Sequence, residues 1–453
     1  MAQRQSGKLL LRRAASLAQQ LLQQQQHVTG CTAAAATQCR TFSSKPLWAS
    51  PCPHGPPAFA FDIDGVLVRG KHVLPWALEA MKKLTTPGGQ WRYPVVFMTN
   101  GGGVTEGRKA EQLSNWLGVP VAPEQVILAH TPMRDLVPEL AQRPVLVSGR
   151  GDVLQVARSY GFQRVLHTRE LAAALPTAAP FAKYPLQAAG TERGSSTPAV
   201  ASAAPDASDT AGTAPFASPA RAGAAPAPAT HGSAAHPCPV RDLGLATEAA
   251  PIDTILVMTD PDDWYRDSQL LYDVLTGAGV PTRSPASAAA AGAPPVKLIF
   301  SNPDLLWANE FPRSRFGQGA FAHMLLSIYS RLTAGARPHH VTYYGKPNPQ
   351  PYRLAERLLL SQAQQLGLHL PQVAPGELPF SGIYAVGDNP AADVRGANQA
   401  GGPWVSVLVR TGVFQGPGPN CDVDTARVAV DDVAAAVDAA LHHTRNLRWH
   451  SMR

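Results

Sequence analysis

Ala58-Phe59-Ala60-Phe61-Asp62-Ile63-Asp64-Gly65 is the stretch on which the fold of this chain turns. Four apolar residues form a short run that stops at charge, the pattern of a strand buried on both faces. Side chains alternate along an extended chain, so Asp62 and Asp64 leave the strand end on the same side. Working outward, apolar periodicity predicts helices over 74–84 and 105–117, with a second buried strand over 94–98 between them. Strands at 145–147 and 165–166 flank a helix at 152–160. The alternation resumes with strands at 254–258, 296–300, 341–344 and 383–386, interleaved with helices at 267–275, 320–332 and 352–365. Residues 405–409 are expected to be the last core strand, and 431–441 a closing helix. This order predicts an α/β fold with a doubly wound parallel sheet.

In open sheets of this kind ligands bind beyond the carboxyl ends of the strands. Three further motifs deliver polar groups there. Val95-Val96-Phe97-Met98 runs into Thr99-Asn100-Gly101-Gly102-Gly103, a hydroxyl, an amide and three glycines that let backbone N–H groups approach an anion. Tyr343-Tyr344-Gly345-Lys346-Pro347 brings one lysine. Tyr384-Ala385-Val386-Gly387-Asp388-Asn389-Pro390, with Asp393 after it, brings two more carboxylates. Each motif alone could be a solvated turn. Together they set several carboxylates against one lysine and an anion-binding loop. Those charges balance only with a divalent cation and a phosphoryl group, and hard oxygen donors of this kind suit Mg²⁺.

Composition narrows the partners. The net charge is +7, but the first 50 residues hold six Arg and Lys and no Asp or Glu, so the rest is close to neutral. A near-neutral body argues against a nucleic-acid partner. There is no apolar run long enough for a membrane span. The five cysteines are dispersed without a CxxC, which fits a reducing compartment. Residues 1–45 are rich in Arg, Gln, Ala and Ser. With Leu9-Leu10-Leu11-Arg12-Arg13 and Arg40-Thr41-Phe42-Ser43-Ser44 they read as a mitochondrial transit peptide, with the matrix as destination and a plastid leader as the alternative. Residues 187–250 are about one-third Ala, with much Pro, Ser, Thr and Gly, and are expected to be a disordered insertion. Residues 281–295 read as a shorter filler of the same sort.

The four motifs, in this order, resemble the haloacid dehalogenase superfamily. The interval of about 250 residues between Thr99 and Lys346 resembles its class IIA members, which carry an α/β cap there. Pyridoxal, nitrophenyl and phosphoglycolate phosphatases belong to that class. The segments Gln125–Pro132, Ser301-Asn302-Pro303-Asp304 and Gly317-Gln318-Gly319-Ala320 are similar to it as well. More narrowly, Asp304–Glu310 and Arg315–Phe321 resemble its mitochondrial cat-eye-syndrome-critical-region type. The resemblance implies a core formed by 46–132 and 325–453, with a cap at 133–324. It implies Asp62 as nucleophile and Asp64 as general acid/base. Mg²⁺ would be held by Asp62, Asp64 through its backbone carbonyl, and Asp388. Thr99, Asn100 and Gly101 would bind the phosphoryl group, with Lys346 neutralising it and Asn389 and Asp393 in support. Asn302, Asp304 and Arg315 are expected to touch the leaving group from the cap. The substrate expected is a small phosphorylated metabolite. Two other readings stay open here: a catalytically idle phosphate-binding protein on the same fold, and a haloacid dehalogenase proper.

Overall fold

The computed structural model describes residues 52–182, 244–415, 418 and 420–451. The expected leader, and the expected insertion up to residue 243, lie outside the described residues. The strands are β1 (Pro57–Phe61), β2 (Val68–Arg69), β3 (His72–Val73), β4 (Val95–Met98), β5 (Val126–Ile127), β6 (Val145–Ser148), β7 (Val165–His167), β8 (Thr254–Val257), β9 (Lys297–Phe300), β10 (Leu306–Trp307), β11 (Arg315–Phe316), β12 (His340–Tyr343), β13 (Gly382–Gly387), β14 (Trp404–Leu408) and β15 (Val428–Ala429).

Two parallel sheets result. The first has the order β15-β14-β13-β1-β4-β5 and the second β12-β9-β8-β6-β7. β1 lies in the middle of the first sheet, which is why both of its faces are apolar. Phe59 and Phe61 point to one side, where they pack with Val95, Phe97, Tyr384 and the helices Pro75–Leu84 and Val433–Ser451. Ala58 and Ala60 point to the other, and their small side chains let Tyr352, Ala355 and Leu359 of the helix Pro349–Gln365 come close. Fully burying a phenylalanine contributes about 2–3 kcal/mol, so period-two alternation fixes the register and with it the side to which Asp62 and Asp64 point.

The second sheet has its own two-sided core, with Leu146, Ile255, Leu298 and Phe300 on one face and Val145, Val147, Leu256 and Ile299 on the other. It reaches further along the chain than expected. Phe321, Ala322 and Leu325 of the helix Gln318–Leu332 pack on it, and β12 pairs with β9. The division at 324/325 therefore falls inside a helix, and the second unit runs on to Tyr343. Three other expectations are corrected. Residues 244–250 are ordered, because Leu245 anchors them in the second core with Ala246 and Ala250. Residues 281–295 contain a helix, Pro285–Ala290, capped by the Ser284 hydroxyl accepting from Ser287 N. β14 is followed by one more parallel strand, β15. Among the described residues no helix is long and apolar enough to cross a membrane.

Candidate active site

The carboxyl ends of β1, β4 and β13 converge on a cavity of 480 Å³ whose other wall comes from loops that follow strands of the second sheet and from the hairpin of β10 and β11. Asp62 follows β1 directly, and its backbone N–H donates to Val386 O of β13 at 2.9 Å. The chain then turns sharply at Gly65, whose φ is +86°. A Cβ there would come within 2.4 Å of Asp388 Oδ2, so only glycine lets β1 and β13 present their carboxylates this close together.

Lys346 sits at the centre, 2% exposed. Its Nζ is 3.0 Å from Asp62 Oδ1 and 2.5 Å from Asp393 Oδ1, and it donates to Met98 O at 2.8 Å. Burial disfavours the ammonium, but the Asp393 and Asp62 carboxylates raise its pKa above the ordinary lysine value, so it is charged. The other Asp393 oxygen accepts from Asn389 N at 3.0 Å, and Asp388 Oδ2 accepts from Val413 N at 2.6 Å. Desolvation raises the pKa of Asp62, Asp64 and Asp388 alike, and that of Asp393 to about 6. The single ammonium of Lys346 cannot balance Asp62, Asp388 and Asp393. Oxygens of Asp62, Asp388 and Asp393 lie within 4.8 Å of one another. A donor set of hard oxygens with surplus negative charge fits a divalent cation such as Mg²⁺.

The triple-glycine loop differs from the open cradle read from the sequence. Gly101 N donates to the Thr99 hydroxyl at 3.0 Å, and Gly103 N to His130 Nε2 at 3.3 Å. His130 is fully buried and lies 2.7 Å from the Tyr160 hydroxyl through Nδ1. Tyr160 O–H and Thr131 O–H both donate to Glu106 Oε1, at 2.5 and 2.7 Å, and Arg134 binds Glu106 Oε2 at 2.9 Å. With Nε2 accepting from Gly103, Nδ1 carries the proton and the chain of donors runs one way to an ionised Glu106. Glu106 opens the helix Glu106–Leu117 and Tyr160 ends the helix Val153–Tyr160 of the second unit. The network thus ties the loop to both units.

Burial pushes the His130 pKa down to about 4, against about 6.5 unfolded. The folded state binds fewer protons in that window, so this contribution to stability is full above pH 6.5 and is lost as pH falls towards 4. His130→Gln lacks it. The stability advantage of the wild type over this variant is therefore expected to shrink by about 3 kcal/mol between pH 7 and pH 4 in denaturant titrations. A pH-independent difference would refute the assignment.

The second unit delivers Asn302 and Asp304 from the turn after β9, but both bind the core. Asn302 Nδ2 donates to Asn100 O at 2.8 Å. Asp304 Oδ2 accepts from Asn100 Nδ2 at 2.8 Å, while Asn100 Oδ1 accepts from Lys346 N at 2.9 Å. Asn100 is thereby a junction between β4, the Lys346 turn and the second unit. Burial raises the Asp304 carboxyl to about 7 against the Asn100 bond and Lys346. Arg315 is not among the residues lining the cavity. It is exposed on β11 and stacks on Phe311 at 4.6 Å, because its neighbour Gly317, not Arg315, turns inward against Asp304.

Three cations that sequence reading passed over line the cavity, Lys71, Lys109 and Arg150, and the last two bear on its carboxylates. Lys109 and Arg150 both lower the Asp64 carboxyl against the larger effect of its burial. Lys109 lies one turn into the helix Glu106–Leu117. Its spacing from the N-cap Thr105 was the available signal, since the glycine loop aims that helix start at the site. Arg150 lies in the loop after β6 and had no local signal.

A haloacid dehalogenase-like hydrolase family model matches residues 59–163, and a second model of the same hydrolase type matches residues 343–440. A mitochondrial hydrolase of Saccharomyces cerevisiae is 32% identical over 394 residues, 85% of this chain and 95% of that protein. A Schizosaccharomyces pombe protein described as a cardiolipin synthase (CMP-forming)/mitochondrial hydrolase fusion is 31% identical over 384 residues, 84% of this chain and 53% of its own length. The solved p-nitrophenyl phosphatase from Archaeoglobus fulgidus is similar over 85% of this chain and 99% of its own, at 16% identity and a TM-score of 0.46. The two matched segments hold Asp62 and Thr99 in the first and Lys346, Asp388 and Asp393 in the second, and likeness to the yeast hydrolase joins them across the chain: this protein belongs to the haloacid dehalogenase-like hydrolases.

Proposed function

We propose that the chain is a Mg²⁺-dependent phosphatase that hydrolyses a phosphate monoester through an aspartyl-phosphate on Asp62. The observation that carries this reading is the bridge from Lys346 to Asp62 and Asp393 at the strand ends, with Asp388 close enough to share a cation. Asp62 attacks phosphorus in line and the ester oxygen leaves, so one hard displacement becomes two easier ones. Asp64, lifted by burial, gives its proton to the leaving oxygen and then takes one from the attacking water. Thr99, Asn100 and Gly101 border the phosphoryl position, and Lys346 offsets charge on its oxygens. Asp62, Asp388 and the Asp64 carbonyl would hold the cation, which supplies further charge neutralisation when bound. The second unit acts as a cap that excludes water and favours small esters over phosphoproteins.

The experiment is turnover of p-nitrophenyl phosphate. Chelation with EDTA is expected to abolish it, and Mg²⁺ to restore it. Mg²⁺ is also expected to raise the melting temperature, since the cation relieves carboxylate repulsion in the folded state only. Turnover unchanged by EDTA would end the metal assignment. Asp304 acts through Asn100, so Asp304→Ala is expected to lower kcat about 10-fold or more for every ester alike. A changed ranking of esters would instead return Asp304 to substrate contact.

Both curated relatives are named as mitochondrial, which supports mitochondrial placement, with the matrix as the compartment; fractionation of a tagged full chain tests it. The cardiolipin synthase joined to the S. pombe relative supports a substrate in glycerophospholipid metabolism.

A further inference from the structure

The cavity has an apolar and basic rim. The hairpin of β10 and β11 reads Leu305-Leu306-Trp307-Ala308-Asn309-Glu310-Phe311-Pro312-Arg313-Ser314-Arg315-Phe316. Leu306, Trp307, Ala308, Asn309 and Glu310 line the cavity. Leu305, Leu306, Phe311 and Phe316 are nonetheless exposed, Phe316 by 71%. Leu306 and Phe316 pair across the hairpin, and four large exposed apolar side chains on so short a segment concentrate apolar surface as interaction sites do, unlike scattered single ones.

The ridge is held, not loose. Arg69 Nε donates to Asn309 O at 3.0 Å and Lys71 N donates to Glu310 Oε1 at 2.9 Å, both from the hairpin of β2 and β3. At Gly70 a Cβ would come within 2.3 Å of the Glu310 side chain, so the two hairpins are in tight contact. Lys71, Arg313 and Arg315 are exposed around this ridge, and none of them forms an ion pair among the described residues. The Arg315 guanidinium sits over the Phe311 ring, 4.6 Å from its centroid, which keeps the charge beside the apolar tip.

Aromatic and aliphatic tips beside unpaired arginines and a lysine match the chemistry of a bilayer interface. The tips enter the acyl boundary, and the long basic side chains reach back to anionic headgroups. A water-soluble ester needs no such rim. We propose that this hairpin seats the cavity mouth on an anionic lipid surface, presenting the site to phosphomonoesters whose apolar tail stays in the membrane. The substrate half of this inference rests on the phosphatase reading; the docking half does not.

The test is co-sedimentation of the full chain with vesicles of phosphatidylcholine alone, and of phosphatidylcholine mixed with phosphatidylglycerol. The wild type is expected to sediment with the anionic vesicles. Arg313→Glu is expected to weaken that binding about fivefold or more, from the contribution of one basic residue at an anionic surface. Phe316→Ser is expected to weaken it comparably, and Arg313→Lys and Phe316→Trp to retain it. Neither position lines the cavity, so all four variants keep wild-type turnover of soluble p-nitrophenyl phosphate, which also shows that they fold. If Arg313→Glu and Phe316→Ser sediment like the wild type, the inference is overturned, because the basic residues in 1–50 then account for any binding. Variants that instead change self-association without vesicles also overturn it, the occupant being a second copy. Loss of vesicle binding with p-nitrophenyl phosphate turnover intact separates this inference from the phosphatase reading, which falls only if that turnover is absent.

Discussion

Asp62→Asn is expected to lower turnover of p-nitrophenyl phosphate by at least ~10³-fold while leaving the fold intact. The amide is nearly the same shape as the carboxylate but cannot form the acyl-phosphate. The fold should tolerate the change because Lys346 keeps its 2.5 Å contact with Asp393, and one member of a mutually repelling carboxylate group is removed. The measurement is steady-state turnover beside a melting curve. Retention of more than a tenth of wild-type activity, in a folded variant, would falsify the nucleophile assignment.

Lys346→Met is expected to damage both activity and stability. Its buried ammonium contacts Asp62, Asp393 and the Met98 carbonyl. Removing one partner of a buried ion pair typically destabilises by about 3–5 kcal/mol, because the remaining charge is left without compensation. Denaturant unfolding should show a loss of that size, and turnover should fall at least ~10²-fold as phosphoryl charge loses its counter-ion. The double variant Lys346→Met/Asp393→Asn should recover much of the stability and none of the activity. If the double variant is as unstable as the single, the loss arises from packing around Lys346 and not from the unpaired carboxylate.

The strand ends that meet at the candidate site were legible because each is a local pattern. A four-residue apolar run must be buried, a buried run in this order must be a central strand, and period-two alternation then fixes where Asp62 points. The same holds for Thr99 and Asp388. What failed to read was non-local. Arg315 sits in a polar stretch that looks like its neighbour Asp304, yet one side chain turns inward and the other stacks on Phe311. Residues 281–295 are dominated by Ala, Pro and Gly, but Ser284 supplies a cap that the composition conceals. The end of the second unit could not be placed because the helix Gln318–Leu332 would suit either core by its apolar stripe. Pairing of β12 with β9 decided it.

Sequence by itself pointed to the α/β class, to parallel strands in the core and to the carboxylates and lysine proposed for the site. These follow from short-range rules: apolar periodicity, side-chain alternation, and the need of a charged group at a strand end for a counter-charge. Tertiary structure alone decided how the glycine loop is held. Gly103 N–H could have faced an anion, but His130, 27 positions further on, accepts it, and Tyr160 and Glu106 complete the network from two different units. It likewise decided that Asp304 grips Asn100 across 204 positions. Such contacts join segments that no local propensity relates. Which donors and acceptors meet depends on how two separately packed sheets come to rest on each other, and burial then requires that every polar group caught between them find a partner.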